Sequence, residues 1–308
     1  MKQNPRSSCL AGDFSFSATE KSNESMAVEL GEANHVLQNL ALKGLESSHI
    51  LFEAINHHLS AGGKRLRLMT GLEAGQRLGL GRTERQSLAI ACELLHNASL
   101  VHDDIQDQDS QRRGAPSVWA KYGSDIALLV GDHLLSCAFG TLADVSGLSS
   151  QLISHFQART RDLIIGQARD LTHESEEGLA SPQALYCDIA ASKSGTLLSL
   201  PMEMALLACG HTAHVNRAAT AGRCFAIAYQ IADDCQDLSD DAMTGRLNLI
   251  HLLTQSGESD ALGCAVAIGL SECAHARMVL ESLPKDIGAS MLAQLLIIER
   301  ALSAQVIQ

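Results

Sequence analysis

Two short acidic segments repeat one pattern. Asp103-Asp104-Ile105-Gln106-Asp107 lies in the first half of the chain and Asp233-Asp234-Cys235-Gln236-Asp237 in the second. On a helix, residues i and i+4 share a face and sit roughly 6 Å apart along the axis. The first and last Asp of each segment therefore project together. Ser99-Leu100-Val101-His102 precedes the first segment and Ala226-Ile227-Ala228-Tyr229-Gln230-Ile231-Ala232 the second. One acidic run alone would read as a solvated helix face. Two that close apolar runs are expected to point into a bundle, where carboxylates without partners are very costly. Facing helices of this kind would gather four or more carboxylates and hold a hard divalent cation. Mg²⁺ fits such oxygen donors and commonly brings substrate phosphates with it.

Cations recur around this pattern. Gly62-Gly63-Lys64-Arg65-Leu66-Arg67 opens a helix with three positive charges in four residues. Glycine backbone and free helix-start N–H groups make it a candidate anion cradle; a surface basic cluster is the alternative. His96 lies seven residues before Asp103 and so shares its helix face. Arg112-Arg113-Gly114 follows closely, and Arg forks bind phosphate oxygens in pairs. Lys193-Ser194-Gly195-Thr196 interrupts an apolar helical run, and Gln230 sits one turn before Asp233. The set suggests metal sites beside two groups of phosphate-binding cations, hence two phosphorylated substrates. Apolar walls would suit a hydrocarbon tail.

The elements that carry these residues read as helices throughout. Of 308 residues 46% are hydrophobic, enough for one large core, and aromatics are only 3%. Leu and Ala dominate long unbroken stretches, and strand-like alternation is nearly absent. Helical spacing predicts segments over about 27–45, 50–59, 66–78, 84–107, 124–145, 149–172, 182–209, 213–238, 246–255, 258–280 and 287–305. A loop is expected over 109–117. Residues 1–25 read as a disordered polar tail and 26–308 as a single all-α domain, a helical bundle around a central cavity. The net charge of −12 disfavours nucleic acid as a partner. The nine cysteines are scattered and contain no CxxC pair, as expected of reduced core thiols in a cytoplasmic protein. No apolar run reads as a transmembrane span.

Taken in order, these motifs resemble the trans-isoprenyl diphosphate synthases, or polyprenyl synthetases, from about residue 28 to 253. The resemblance rests on Gly63-Lys64-Arg65-Leu66-Arg67, on Glu93-x-x-His96-x-x-Ser99-Leu100-Val101-His102-Asp103-Asp104-x-x-Asp107 and on Arg112-Arg113-Gly114-x-Pro116-Ser117. It continues through Gly166-Gln167-x-x-Asp170-Leu171, Lys193-Ser194-Gly195 and Tyr229-Gln230-Ile231-x-Asp233-Asp234-x-x-Asp237. It implies an isoprenoid-synthase bundle, usually homodimeric, that condenses isopentenyl diphosphate with an allylic diphosphate to give an all-trans polyprenyl diphosphate. By likeness, Asp103, Asp104, Asp107, Asp233, Asp234, Asp237 and Lys193 form the reacting centre. Asp103, Asp107, Asp233 and Asp237 would ligate Mg²⁺, three ions in all. Lys64, Arg67, His96 and Arg113 would hold isopentenyl diphosphate, and Arg112, Lys193, Ser194 and Gln230 the allylic diphosphate. The loop after Asp237 is shorter than is usual in the family and has no Lys; Arg246 is its only cation and is expected to contact the allylic diphosphate. Leu68 stands where Pro is common.

Small residues at Ala98 and Ser99, where a bulky aromatic would stop the chain early, imply a product of twenty carbons or more, with farnesyl the shorter alternative. A class I terpene cyclase and a non-catalytic subunit of a heteromeric synthase are the competing readings. The cyclase has no need of Lys64, Arg67 and His96, and a subunit that lost catalysis would be expected to lose acidic residues.

Overall fold

The computed structural model describes residues 20–143, 145, 150–172, 181–236, 238 and 247–305. The chain divides into two compact units, one of Met1–Glu73 with Gly81–Leu148 and one of Ala74–Leu80 with Ser149–Gln308. The tail expected over 1–25 lies outside the described residues up to residue 19, and helix α1 takes in residues 20–25.

The first unit holds α1 (Glu20–Leu42), α2 (Ile50–Ser60), the start of α3 (Leu66–Leu78), α4 (Arg82–Gln106), α5 (Val118–Tyr122) and α6 (Ser124–Ala143). Its central helix is α4, which buries Leu88, Ile90, Leu94, Leu95 and Val101. α6 lies along it so closely that a Cβ on Gly131 would meet the His102 ring at 2.1 Å. The loop expected over 109–117 contains a small hairpin. Gln111–Arg112 (β1) pairs antiparallel with Ala115–Pro116 (β2). The two residues between them, Arg113 and Gly114, have φ of 55° and 76°. Positive φ at both central positions is the signature of a type I′ turn, whose twist matches the flanking strands.

The second unit holds α7 (Ser150–Thr172), α8 (Pro182–Ala190), α9 (Thr196–Ala208), α10 (Val215–Asp234), α11 (Leu249–Gln255), α12 (Ala261–Glu281) and α13 (Ala289–Gln305). Here the central helix is α10. Small residues, among them Ala218, Ala221, Gly222, Ala226 and Ala228, bring it against α12 and α9. Starts are set by side-chain caps: Ser181 Oγ accepts from Ala184 N–H, Asn248 from Ile250 and Asp260 from Gly263. The run expected as one helix over 182–209 is interrupted. Residues Ala191–Gly195 form a single π turn between α8 and α9. Such turns occur mostly where a helix serves a site.

Among the described residues two helices, Ser124–Ala143 and Ala261–Glu281, have the length and composition of a membrane span, where none was expected from the sequence. Each packs along the central helix of its own unit.

Candidate active site

In both units the central helix ends on the acidic segment. α4 closes at Gln106 with Asp107 as its cap, and α10 closes at Asp234. The C-terminal end of a helix carries partial negative charge, so carboxylates there call for cations. The Asp107 N–H donates to the Asp103 carbonyl (2.8 Å), which keeps the first segment helical and places both carboxylates on one half-buried face. His96 and Ser99 are half-buried on the same stripe, whereas Ala98 is 3% exposed and turned to the core side of α4. Ala98 is five residues, about 140° of helical rotation, from Asp103. Of the two small residues, Ser99 is the one that shares the Asp103 face.

The second Asp of each segment does something the repeat does not announce. Asp104 is fully buried, and its Oδ1 accepts from Arg112 Nε (2.8 Å) and Nη2 (2.5 Å). Burial pushes this carboxyl up from its usual range while Arg112 pulls it back, so its ionised form depends on that pair. Asp234, 1% exposed, accepts from the Leu249 N–H through Oδ2 (2.8 Å) and from Gln230 Nε2 through Oδ1 (3.2 Å). Asn248 Nδ2 adds a bond to the Asp234 carbonyl (3.2 Å). In each unit, then, the first Asp is half-buried and the second ties the following segment back to the helix end. Asp104 and Asp234, expected with the reacting carboxylates, are buried and bonded to Arg112 and to the Leu249 N–H. Gln230, expected at the allylic diphosphate, bonds Asp234. Asp237 and Arg246 lie outside the described residues.

Arg65, among the cations of the first unit, is held by Glu93, to which the sequence assigned no role. Gly62, Gly63 and Arg65 have φ of 82°, 129° and 48°, a tight turn into α3. Glu93, 1% exposed, organises it. Its carboxylate accepts from Arg65 Nη1 (3.3 Å), from the Leu68 N–H (3.2 Å) and from Asn97 Nδ2 (3.4 Å). Leu68 is in the first turn of α3, so Glu93 takes up one of the free helix-start donors. The expected anion cradle is thus partly filled by the protein itself, and Arg65 is turned inward to Glu93 and the Leu59 carbonyl. Arg113 Nη1 donates to the Gly62 carbonyl, and its guanidinium lies where a Cβ on Gly63 would be, 2.6 Å from Cζ. A φ of 129° favours glycine at 63, and any Cβ there would displace the Arg113 guanidinium.

Arg65, Arg67, Arg112 and Arg113 are close enough to repel one another, with Glu93 and Asp104 as buried counter-charges. Lys64 stands exposed at the mouth of the turn and Arg67 half-buried on α3. His96 Nδ1 is buried with no hydrogen-bond partner among the described residues. Burial first, then the charges of Arg67 and Arg113, hold His96 well below the usual imidazole range. A neutral imidazole ringed by arginines suits an anion with several oxygens.

Deeper in this network His58 Nε2 bonds Asn97 Oδ1 at 3.1 Å. Burial, then Arg113, lowers the His58 pKa to about 3. The sign follows directly. Below pH 6.5 the unfolded imidazole takes up a proton that the folded one refuses, so stability falls as pH falls from 6.5 towards 3. Between pH 6.5 and 5 this amounts to about 2 kcal/mol. Denaturant titrations should show a pH dependence in this window that is smaller by about that amount in His58→Gln. Equal slopes for the two proteins would contradict it.

In the second unit Lys193 Nζ donates to Asp170 Oδ2 at 2.6 Å. Lys193 and Ser194 lie in the π turn, half-buried. α7 reaches the turn through Gly166, where a Cβ would meet Ser192 Cβ at 2.7 Å. A cavity of about 430 Å³ opens at Ser192 and Thr196, with Arg159, Arg169 and Arg223 in its wall; none of the described site residues expected from the sequence lines it.

An all-helical chain whose two central helices each end on paired carboxylates, with clustered cations nearby, has the architecture of the isoprenoid synthases. Comparison with known proteins agrees. The polyprenyl synthetase family profile matches residues 48–247. The chain belongs to this family. It is 38% identical over 197 residues to a geranylgeranyl diphosphate synthase of Sulfolobus acidocaldarius, covering 62% of this chain and 59% of that protein. A (2E,6E)-farnesyl diphosphate synthase of Mycobacterium tuberculosis is 40% identical over 151 residues, covering 47% of this chain and 41% of that one. The matched region thus spans about half the length of these relatives. Among solved structures, the geranylgeranyl pyrophosphate synthetase of Pyrococcus horikoshii superposes with a TM-score of 0.77 at 25% identity, covering 91% of this chain and 99% of that one.

Proposed function

We propose that the protein is a prenyltransferase that condenses isopentenyl diphosphate with an allylic diphosphate, giving geranylgeranyl diphosphate or a longer all-trans product. The observation that carries this reading is the cation group of the first unit. Arg67, Arg113 and a neutral His96 provide for an anionic substrate, beside Arg65 and Arg112, which are tied to Glu93 and Asp104. A cyclase, which ionises one substrate alone, has no use for this group.

Asp103, Asp107 and Asp233 offer hard oxygen donors at helix ends that favour positive charge, and this donor set fits Mg²⁺. These residues, with Asp237, would hold the ions, three in our reading. Bound magnesium supplies positive charge that stabilises a departing diphosphate. Lys64, Arg67, His96 and Arg113 hold the isopentenyl diphosphate, with Glu93 and Gly63 fixing the turn that presents them. Lys193, Ser194 and Arg246 hold the allylic diphosphate; Asp170 orients Lys193, and the π turn aims both Lys193 and Ser194. Arg112, locked to Asp104, acts mainly by fixing the hairpin that carries Arg113. Departure of the allylic diphosphate leaves an allylic cation, the isopentenyl double bond attacks it, and a proton is lost to the released diphosphate. Apolar walls keep out water that would quench the cation.

The eight described cysteines are all free thiols, which suits a cytoplasmic location. We also assign a homodimer. α6 exposes Leu128 and Leu129 beside Asp132, Ser136, Gly140 and Ala143, and a second copy would cover the two leucines.

Two kinetic experiments test the reading. Arg67→Ala should lose roughly ten- to a hundredfold in kcat/KM for isopentenyl diphosphate, the cost of one charge-assisted contact, with little change for the allylic substrate. Equal losses for both substrates would contradict the assignment. Ser99→Phe, on the Asp103 stripe, should shorten the main product while activity persists. Unchanged product length would mean that the growing chain does not pass this face.

A further inference from the structure

The second unit contains a cluster of metal-binding side chains that the acidic segments do not use. Cys224 on α10 and Glu272 and His275 on α12 place their ligating atoms within 4.8 Å of one another. Glu272 and His275 are three residues apart and so share a helix face. Cys224 is buried, Glu272 half-buried and His275 exposed, so the group is open to solvent on one side. Cys224 Sγ lies 3.5 Å from His275 Nδ1.

We propose that Cys224, Glu272 and His275 form a three-residue site for Zn²⁺ or a similar borderline divalent cation, distinct in chemistry from the Mg²⁺ sites. Geometry supports it. With a zinc–sulfur bond near 2.3 Å and a zinc–nitrogen bond near 2.05 Å, tetrahedral coordination separates sulfur from nitrogen by about 3.6 Å. The observed separation requires no rearrangement of that pair. The donor types select against magnesium, which takes oxygen ligands, and in favour of zinc, which takes thiolate, imidazole and carboxylate together. Charge balances: thiolate and carboxylate together neutralise the doubly positive ion, and imidazole binds neutral. Water from the open side completes a fourth position. On binding, the Cys224 S–H bond breaks, the S–metal bond forms and the proton passes to solvent. Burial, followed by Glu272, pushes the Cys224 thiol up to about 12, so without metal it is inert and protonated. The ion would cross-link α10 to α12, and α10 runs on nine residues to Asp233.

Cobalt(II) tests this, because sulfur-to-cobalt charge-transfer absorption reports a thiolate ligand and carboxylate-bound cobalt lacks it. The metal-free full chain should bind one Co²⁺ with that absorption, keep it in excess Mg²⁺ and lose it on adding Zn²⁺. Cys224→Ser should abolish the band. His275→Ala, a change at an exposed position that leaves the core intact, should weaken cobalt affinity at least about tenfold. The proposal is overturned if the wild-type protein shows no such band, if excess Mg²⁺ removes it, or if it persists with unchanged affinity in both variants.

Discussion

Asp103→Ala and Asp233→Ala should each lower turnover by roughly 10²–10⁴-fold while the protein stays folded. Both carboxylates are half-buried on the last turn of a central helix. Each therefore sits where the helix end already repels negative charge. Truncation removes that repulsion and, at Asp103, the attraction to Arg112, so thermal stability should change little. What is lost is a donor for the cations that stabilise the leaving diphosphate. Steady-state kinetics at saturating Mg²⁺, paired with thermal denaturation, measures both effects. A folded Asp103→Ala protein with near-normal turnover would show that the segment is not a metal site.

Asp104→Ala, one residue along, should have the opposite profile. The Asp104 carboxylate is fully buried and meets Arg112 at 2.5 Å. Breaking a buried pair from one side leaves the other charge without its partner, at a cost of about 3–5 kcal/mol. In a chain of this size that lowers the melting temperature by roughly 10 °C. The hairpin bearing Arg112 and Arg113 would lose its anchor, so affinity for isopentenyl diphosphate should fall as well. Asp104→Asn, which keeps an acceptor for Arg112, should recover part of the stability. Differential scanning calorimetry of the two variants decides the point. An Asp104→Ala protein as stable as wild type would mean that the pair contributes nothing to the fold.

The contrast between neighbours shows where sequence reading works. Asp103 and Asp107 were legible because their relation is local: four residues on a helix fix a shared face. The boundaries of α3 were legible for the same reason, since Gly62-Gly63 stops one segment and the apolar period starts the next. The all-helical fold followed from long Leu- and Ala-rich stretches with few breakers. Asp104 looked identical to Asp103 because burial and the Arg112 contact depend on a turn, Arg113-Gly114, whose positive φ values the sequence only hinted at. Glu93 stood inside a quoted motif, yet its work for α3, 25 residues away at Leu68, leaves no periodic trace. His58 and Asn97 are paired 39 residues apart and read as ordinary helix positions. The π turn had one local sign, the break of the apolar run at Lys193-Ser194-Gly195. The Cys224 cluster had a fainter one, Glu272 and His275 one turn apart, which means nothing until α10 is packed against α12.

This chain alone is expected to condense the two diphosphates. The direct measurement uses purified protein, Mg²⁺, isopentenyl diphosphate labelled at C1 and geranyl diphosphate, with products identified by mass. Labelled prenyl diphosphates longer than the allylic primer, reaching twenty carbons or more, are expected, with one diphosphate released per label incorporated and none formed when EDTA replaces Mg²⁺. Release of diphosphate from geranyl diphosphate with no label in the product, or no turnover of either substrate, would contradict it.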